Sequence, residues 1–168
     1  MKTTHLLLFI LLQTLFACGQ TNDIANTNEY PTKIGWVNDF EQLFSPYEAK
    51  ILDSIISQYE HKTSVEIVIL TVDSTIVKNE QFKNFALNIA NNWHIGKPVK
   101  NNGILICISS QLRKIRIENA YGIEKRLTDG MTKKIIDETI IPNLKQGEYF
   151  QGALQGLNSI MKILDDNP

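Results

Sequence analysis

Cysteine is almost missing from this chain: Cys18 and Cys107 are the two in 168 residues. A disulfide framework needs more than that, even in an oxidising compartment. Histidine is scarce too, with three, and neither His61 nor His94 has a carboxylate or serine partner in its local sequence. There is no paired C-x-x-C, no H-E-x-x-H, no Walker loop and no G-x-S-x-G elbow. No charge sign dominates. Lys and Arg number 17 against 18 Asp and Glu, a net charge of −1, without a basic cluster, which speaks against nucleic acid as a partner. The one long apolar run, Leu6-Leu7-Leu8-Phe9-Ile10-Leu11-Leu12, is shorter than the roughly 20 residues that a bilayer span requires.

That run reads instead as the core of a secretory signal, with Lys2 as its positive start. Leu15-Phe16-Ala17-Cys18 fits a bacterial lipobox, in which Cys18 is acylated and becomes the first mature residue. The alternative is an ordinary signal peptide with a cysteine near its cleavage site. Residues 1–17 are then a lipoprotein signal peptide and 18–33 a flexible tether rich in Asn and Thr. The expected location is the cell envelope: anchored to a membrane through lipid on Cys18, facing the periplasm. Losing the leader leaves sixteen basic and eighteen acidic residues, a net of −2. The remainder, 34–168, is long enough for one domain with a real core. It is expected as a monomer, with an envelope protein as its partner.

Ser45-Pro46-Tyr47-Glu48 is a helix start, with Ser45 as N-cap, Pro46 at the first helical position and Glu48 closing a capping box. Ala49, Leu52, Ile56 and Tyr59 recur behind it at helical spacing. Val65 to Val72 is apolar and β-branched, a central strand. A second helix carries Phe82, Phe85, Ala86, Ile89, Ala90 and Trp93 on one stripe and ends at Gly96. Ile104 to Ile108 and Arg113 to Asn119, joined by a polar turn, form an antiparallel hairpin. In the first strand Cys107 is a core residue rather than a nucleophile. A third helix starts at Thr128 or Asp129 and stops before Pro142, and a last one runs from about Gly147 to Leu164. Helices alternating with strands in this way, plus one antiparallel pair, predict an α/β fold: a three-layer αβα sandwich with a small mixed sheet covered by helices on both faces.

The chemistry lies in oxygens. Asp39, Asn101, Asn102, Glu118, Glu124 and Asp129 all fall at element ends. The hairpin should bring Asn101-Asn102 beside Glu118, with glycines at 103, 122 and 130 to let the loops converge. An oxygen-only set suits a hard divalent cation such as calcium. The same residues would serve equally as solvated loop acids or caps, Asp129 as an N-cap and Glu124 beside Lys125 or Arg126.

From Trp36 to Leu164 the chain resembles the TPM domain family of bacterial extracytoplasmic and thylakoid-lumen proteins. The matching fragments are Val37-Asn38-Asp39 with Leu43 and Ser45, Trp93-His94-Ile95-Gly96, Asn102-Gly103-Ile104-Leu105, Arg116-Ile117-Glu118 with Tyr121-Gly122-Ile123-Glu124, Pro142, and Gly147-Glu148-Tyr149. The resemblance implies an exported αβα sandwich with an acidic pocket that binds divalent cations in some members, and acid phosphatase activity has been attributed to plant members. Where relatives often have Asp-Asn-Gly, this chain has Asn101-Asn102-Gly103, one carboxylate fewer. Three readings follow. The first is a calcium-binding domain, non-catalytic or weakly hydrolytic, that helps maintain envelope proteins. The second is a metal-assisted acid phosphatase in which Asp39 and Glu118 hold the cation and Arg116 or Arg126 offsets the phosphate. The third is an interaction module without a metal.

Overall fold

The computed structural model describes residues 30–167. The leader, Cys18 and nearly all of the tether lie outside the described residues. Thr32–Pro168 is one compact unit that contains its own core, which is what a segment needs to fold alone. No helix among the described residues is long and apolar enough to cross a membrane.

Four strands form one sheet in the order β1 (Val37–Asp39), β2 (Glu66–Thr71), β3 (Gly103–Ser109) and β4 (Lys114–Asn119). The first three run parallel and β4 returns antiparallel to β3, so the sheet is mixed as expected. β2 and β3 are buried along their whole length, which is why both read as unbroken apolar runs. β4 is an edge strand, and its alternating Lys114, Arg116 and Glu118 keep that edge charged. β1 did not show itself in the sequence. Three residues carry no periodicity, and only the pairing of Val37 with Ile69 makes them a strand.

Alternation along β2 and β3 divides the core in two. Ile67, Ile69, Ile104, Ile106 and Ile108 point to one face, where they pack on α1 (Pro46–Thr63) and α6 (Tyr149–Asp166) through Leu52, Ile56, Leu157 and Ile160. Val68, Leu70, Leu105 and Cys107 point to the other, covered by Phe82, Phe85, Ala86 and Ile89 of α2 (Phe82–Asn92). Each of the Val, Leu, Ile and Phe side chains among them contributes about 1.5–3 kcal/mol by burial. The capping box of α1 forms as its sequence predicts. Ser45 Oγ accepts from the Glu48 N–H, and Glu48 accepts from the Ser45 N–H at 2.7 Å, a bond that holds the Glu48 carboxyl below its usual range.

Two expectations need correction. A short helix, α3 (Tyr121–Glu124), follows β4 directly. Pro142 does not end the third helix. α4 (Asp129–Lys134) widens into a π-helical stretch over Ile135–Ile140, then continues as α5 (Ile141–Leu144). The wide turn sends the Ile141 N–H to the Ile136 carbonyl, five residues back, so the chain is already out of α-register where proline would otherwise clash.

Candidate functional site

The sheet has two functional ends, and the topology decides which candidate residues share one. The parallel strands start at Val37, Glu66 and Gly103 and finish at Asp39, Thr71 and Ser109. β4 runs the other way, so Asn119 lies beside Ile104 and Glu118 beside Leu105. The hairpin puts Asn101-Asn102 and Glu118 at the same end of the sheet, with Asn102 three residues before the Leu105 that faces Glu118. Asp39 is level with Ile108, six residues along β3 from Asn102, roughly 20 Å away at about 3.3 Å per residue. The six expected ligands therefore do not form one pocket. Among the described residues, no three His, Cys, Asp or Glu side chains gather where one metal ion could be held.

Taken singly, half of the six are already engaged. Asp39 accepts from the backbone N–H groups of Leu43 (2.9 Å) and Phe44 (2.8 Å) and from the Thr71 hydroxyl, fixing the turn into α1. Asn102 is buried, accepts from the Lys97 N–H at 2.9 Å and donates to the Ser64 carbonyl at 2.7 Å. Glu118 pairs with Arg116 at 2.5 Å on the α2 face of the sheet. Asn119, adjacent in the strand, points to the opposite face, where it donates to Leu127 and Thr132. Its Oδ1 is sealed from solvent without a partner among the described residues. Lying on opposite faces, that oxygen and the Glu118 carboxylate cannot close on one ion. Asn101, Glu124 and Asp129 are exposed, with side chains free of hydrogen bonds and ion pairs among the described residues. The N-cap of α4 is Thr128, not Asp129.

A different acidic pair organises the amino end of the sheet. Glu66 is buried at the start of β2 and takes the Gly96 N–H at 3.0 Å and the Lys33 ammonium. Glu60, near the end of α1, accepts from Trp36 Nε1 and from Lys97 Nζ, both at 2.6 Å. Burial would raise the Glu60 pKa, but Lys97 and Trp36 outweigh it and hold the group below its ordinary value. Together these contacts clamp the 93–102 loop onto the sheet. The signal in the sequence was Glu66 itself, an acid heading the apolar run Ile67-Val68-Ile69-Leu70.

The clamped loop meets the hairpin mouth by backbone contact. The Ala120 N–H reaches the Gly103 carbonyl at 2.9 Å and the Gly122 N–H reaches Asn101 at 2.8 Å. A Cβ on Gly122 would stand 2.1 Å from the Lys100 carbonyl, so no larger residue fits there without moving the loop. Their chain neighbours Val99 and Tyr121 are 95% and 72% exposed on this rigid base. Leu87, itself exposed, lines with Glu118 and Ala120 a separate cavity of about 80 Å³. Val99 and Tyr121 therefore stand exposed on two backbone segments that meet at the mouth.

The groups a phosphatase would need are held elsewhere. Cys107 is fully buried, and burial, then Glu118 and Glu41, pushes its thiol far above the ordinary range. Arg126 donates to the Leu164 and Asn167 carbonyls, both at 2.5 Å, capping the end of α6. Arg116 is held by Glu118.

Residues 37–163 match the family model described as the TPM domain. No curated protein matches the chain. Among solved structures, the N-terminal domain of a P. gingivalis protein is 28% identical with a TM-score of 0.70, the match covering 78% of this chain and 82% of that one. The BA42 protein of the psychrophilic bacterium Bizionia argentinensis is 21% identical with a TM-score of 0.65, over 76% and 86% of the two chains. The N-terminal domain of a Corynebacterium glutamicum protein is 14% identical with a TM-score of 0.53, over 80% and 83%. The last two share the fold.

Proposed function

The chain belongs to the TPM domain family, and from that premise we propose that it is a non-catalytic binding domain of the cell envelope, anchored by lipid on Cys18, that docks a partner protein on the hairpin mouth. The observation that carries this reading is the exposure of Val99 and Tyr121 on segments that backbone hydrogen bonds join, next to the loop that the Glu60–Glu66 clamp holds. An exposed aromatic anchor with an aliphatic neighbour on tethered backbone loses little entropy on binding, a property of interface hot spots. Phosphoryl chemistry fits less well, because Arg116 and Arg126 are both engaged in holding the fold. Calcium enters as a weak ligand of the exposed loops, where Asn101, Glu124 and Asp129 keep free oxygens. So few carboxylates imply an affinity on the order of millimolar.

The experiment places a photo-crosslinking phenylalanine at Tyr121 and, for comparison, at the equally exposed Tyr47, in cells that make the full chain. Adducts specific to position 121 that vanish in Val99→Asp, with the melting temperature unchanged, support the reading. The same adducts at both positions, or survival in Val99→Asp, would overturn it. Labelled palmitate incorporated equally into wild type and Cys18→Ser would remove the anchor.

A further inference from the structure

At the opposite end of the sheet lies a cleft of about 770 Å³ between the β3–β4 turn and the α5–α6 connection. Its floor is apolar and incompletely covered: Ile115, Ile141, Leu144 and the ring of Tyr149 are all half-buried. Its two walls each carry a cation, Arg113 on the turn and Lys145 on the helical side, and neither has an ion-pair or side-chain hydrogen-bond partner among the described residues. Lys114 also lines it, but its ammonium donates to the Asn79 carbonyl at 2.7 Å. No acid lines the cleft. Glu41 lies against the lining, both oxygens accepting from Ser110 and Gln111 of the turn, and Glu148, next to Gly147 along the chain, is exposed without being part of the lining. Two unpaired cations over an apolar floor set the character of the cleft, with the Glu41 carboxylate in contact with its lining through Ser110.

We propose that this cleft binds a small organic anion with an apolar body, its carboxylate or phosphate ester held between Arg113 and Lys145 and its hydrocarbon lying on Ile115, Ile141, Leu144 and Tyr149. The volume is that of a site for a molecule of a few hundred daltons. The position agrees as well, because open α/β sheets take their ligands outside the carboxyl ends of the parallel strands. Arg113 sits at a φ of +52°, a left-handed conformation that fixes where its side chain leaves the turn. An unmatched guanidinium and ammonium pair recognises a planar or tetrahedral anion. This site is remote from the hairpin mouth and stands or falls separately from partner docking there.

The test follows amide shifts of residues 32–168 on titration with 1-naphthoate, 1-naphthyl phosphate and the neutral 1-naphthamide. Saturable shifts centred on Ile115, Leu144 and Gly147 are expected for both anions, the tighter of the two identifying the preferred head group, with the amide at least about tenfold weaker. Arg113→Glu and Lys145→Glu should each weaken anion binding at least about tenfold while Lys83→Glu, an equal charge change on α2, leaves it unchanged. All three replace exposed residues, so the fold is not at risk. Equal binding of the amide, or losses no greater than in Lys83→Glu, would overturn the proposal.

Discussion

Gly103→Ala tests the claim that the 93–102 loop is held by direct backbone contact. A Cβ built on Gly103 lies 2.0 Å from the Ile95 carbonyl oxygen and 2.8 Å from the Gly96 nitrogen, where ordinary contact begins at 3.4 Å. Both obstacles are backbone, so no rotamer change relieves them, and the 95–96 segment must retreat by more than an ångström. Retreat weakens the Gly96 N–H bond to Glu66 and the Lys97 N–H bond to Asn102, now 3.0 and 2.9 Å long. Overpacking costs about 1–3 kcal/mol. The lost hydrogen bonds add about 1 kcal/mol for the neutral acceptor and about 1.5–3 for the carboxylate. The sum, roughly 3.5–7 kcal/mol, is a large share of the stability of a domain this size. It corresponds to a fall in Tm of roughly 10–20 °C.

Two other glycines calibrate the assay, which is thermal and urea unfolding of residues 32–168 followed by circular dichroism. A Cβ on Gly35 meets nothing nearer than Asp53 Oδ1 at 3.7 Å, so Gly35→Ala should be neutral or stabilise by a few tenths of a kcal/mol. Gly147 has open space but a φ of +81°, so Gly147→Ala should lose only the left-handed penalty of about 1–2 kcal/mol. The expected order is therefore Gly35, Gly147, Gly103. A Gly103→Ala melt within about 2 °C of Gly35→Ala would refute the contact and, with it, the rigidity assigned to the mouth.

Asp39→Ala should cost about 2–4 kcal/mol in urea unfolding, since three donors lose their acceptor, and millimolar calcium should not change that loss. Burial, then Asp165, raises the Tyr59 pKa from 10.0 to about 12. The unfolded chain ionises first, so its stabilising effect is complete below pH 10 and is lost as pH rises towards 12; Tyr59→Phe should flatten that alkaline decline, and an unchanged slope would contradict the assignment. Thiol reagents should label Cys107 only at the rate of global opening, and labelling faster than unfolding would show that the α2 layer is looser than described. Ser45→Ala should cost about 0.5–2 kcal/mol by urea denaturation through loss of the α1 cap.

Local rules were enough for much of the fold. Ser45-Pro46-Tyr47-Glu48 names its own capping box, because every partner lies within three residues. The unbroken apolar runs of β2 and β3 state that both faces are covered, and the alternation in β4 marks an edge. The hairpin followed from its short turn, and with it the placement of Asn101-Asn102 and Glu118 at one end of the sheet.

What the sequence could not state was which end of the sheet a residue occupies. Asp39 joined the predicted cluster because acids at element ends look alike in one dimension; the parallel pairing of β1 with β2 and of β2 with β3 puts it some 20 Å away, at the other end. Asn102 read as a free ligand until its long-range bond to the Ser64 carbonyl engaged it, whereas the pairing of Glu118 with Arg116, two residues away, was within reach of the sequence. The Glu60–Glu66 clamp and the cationic cleft of Arg113 and Lys145 join segments some thirty residues apart. By itself, then, the sequence determined every element whose cause is local: caps, periodicity and strand burial. Only the tertiary structure decided which oxygens remain free and which cations stand unpaired, because those depend on contacts that exist once the chain has closed on itself.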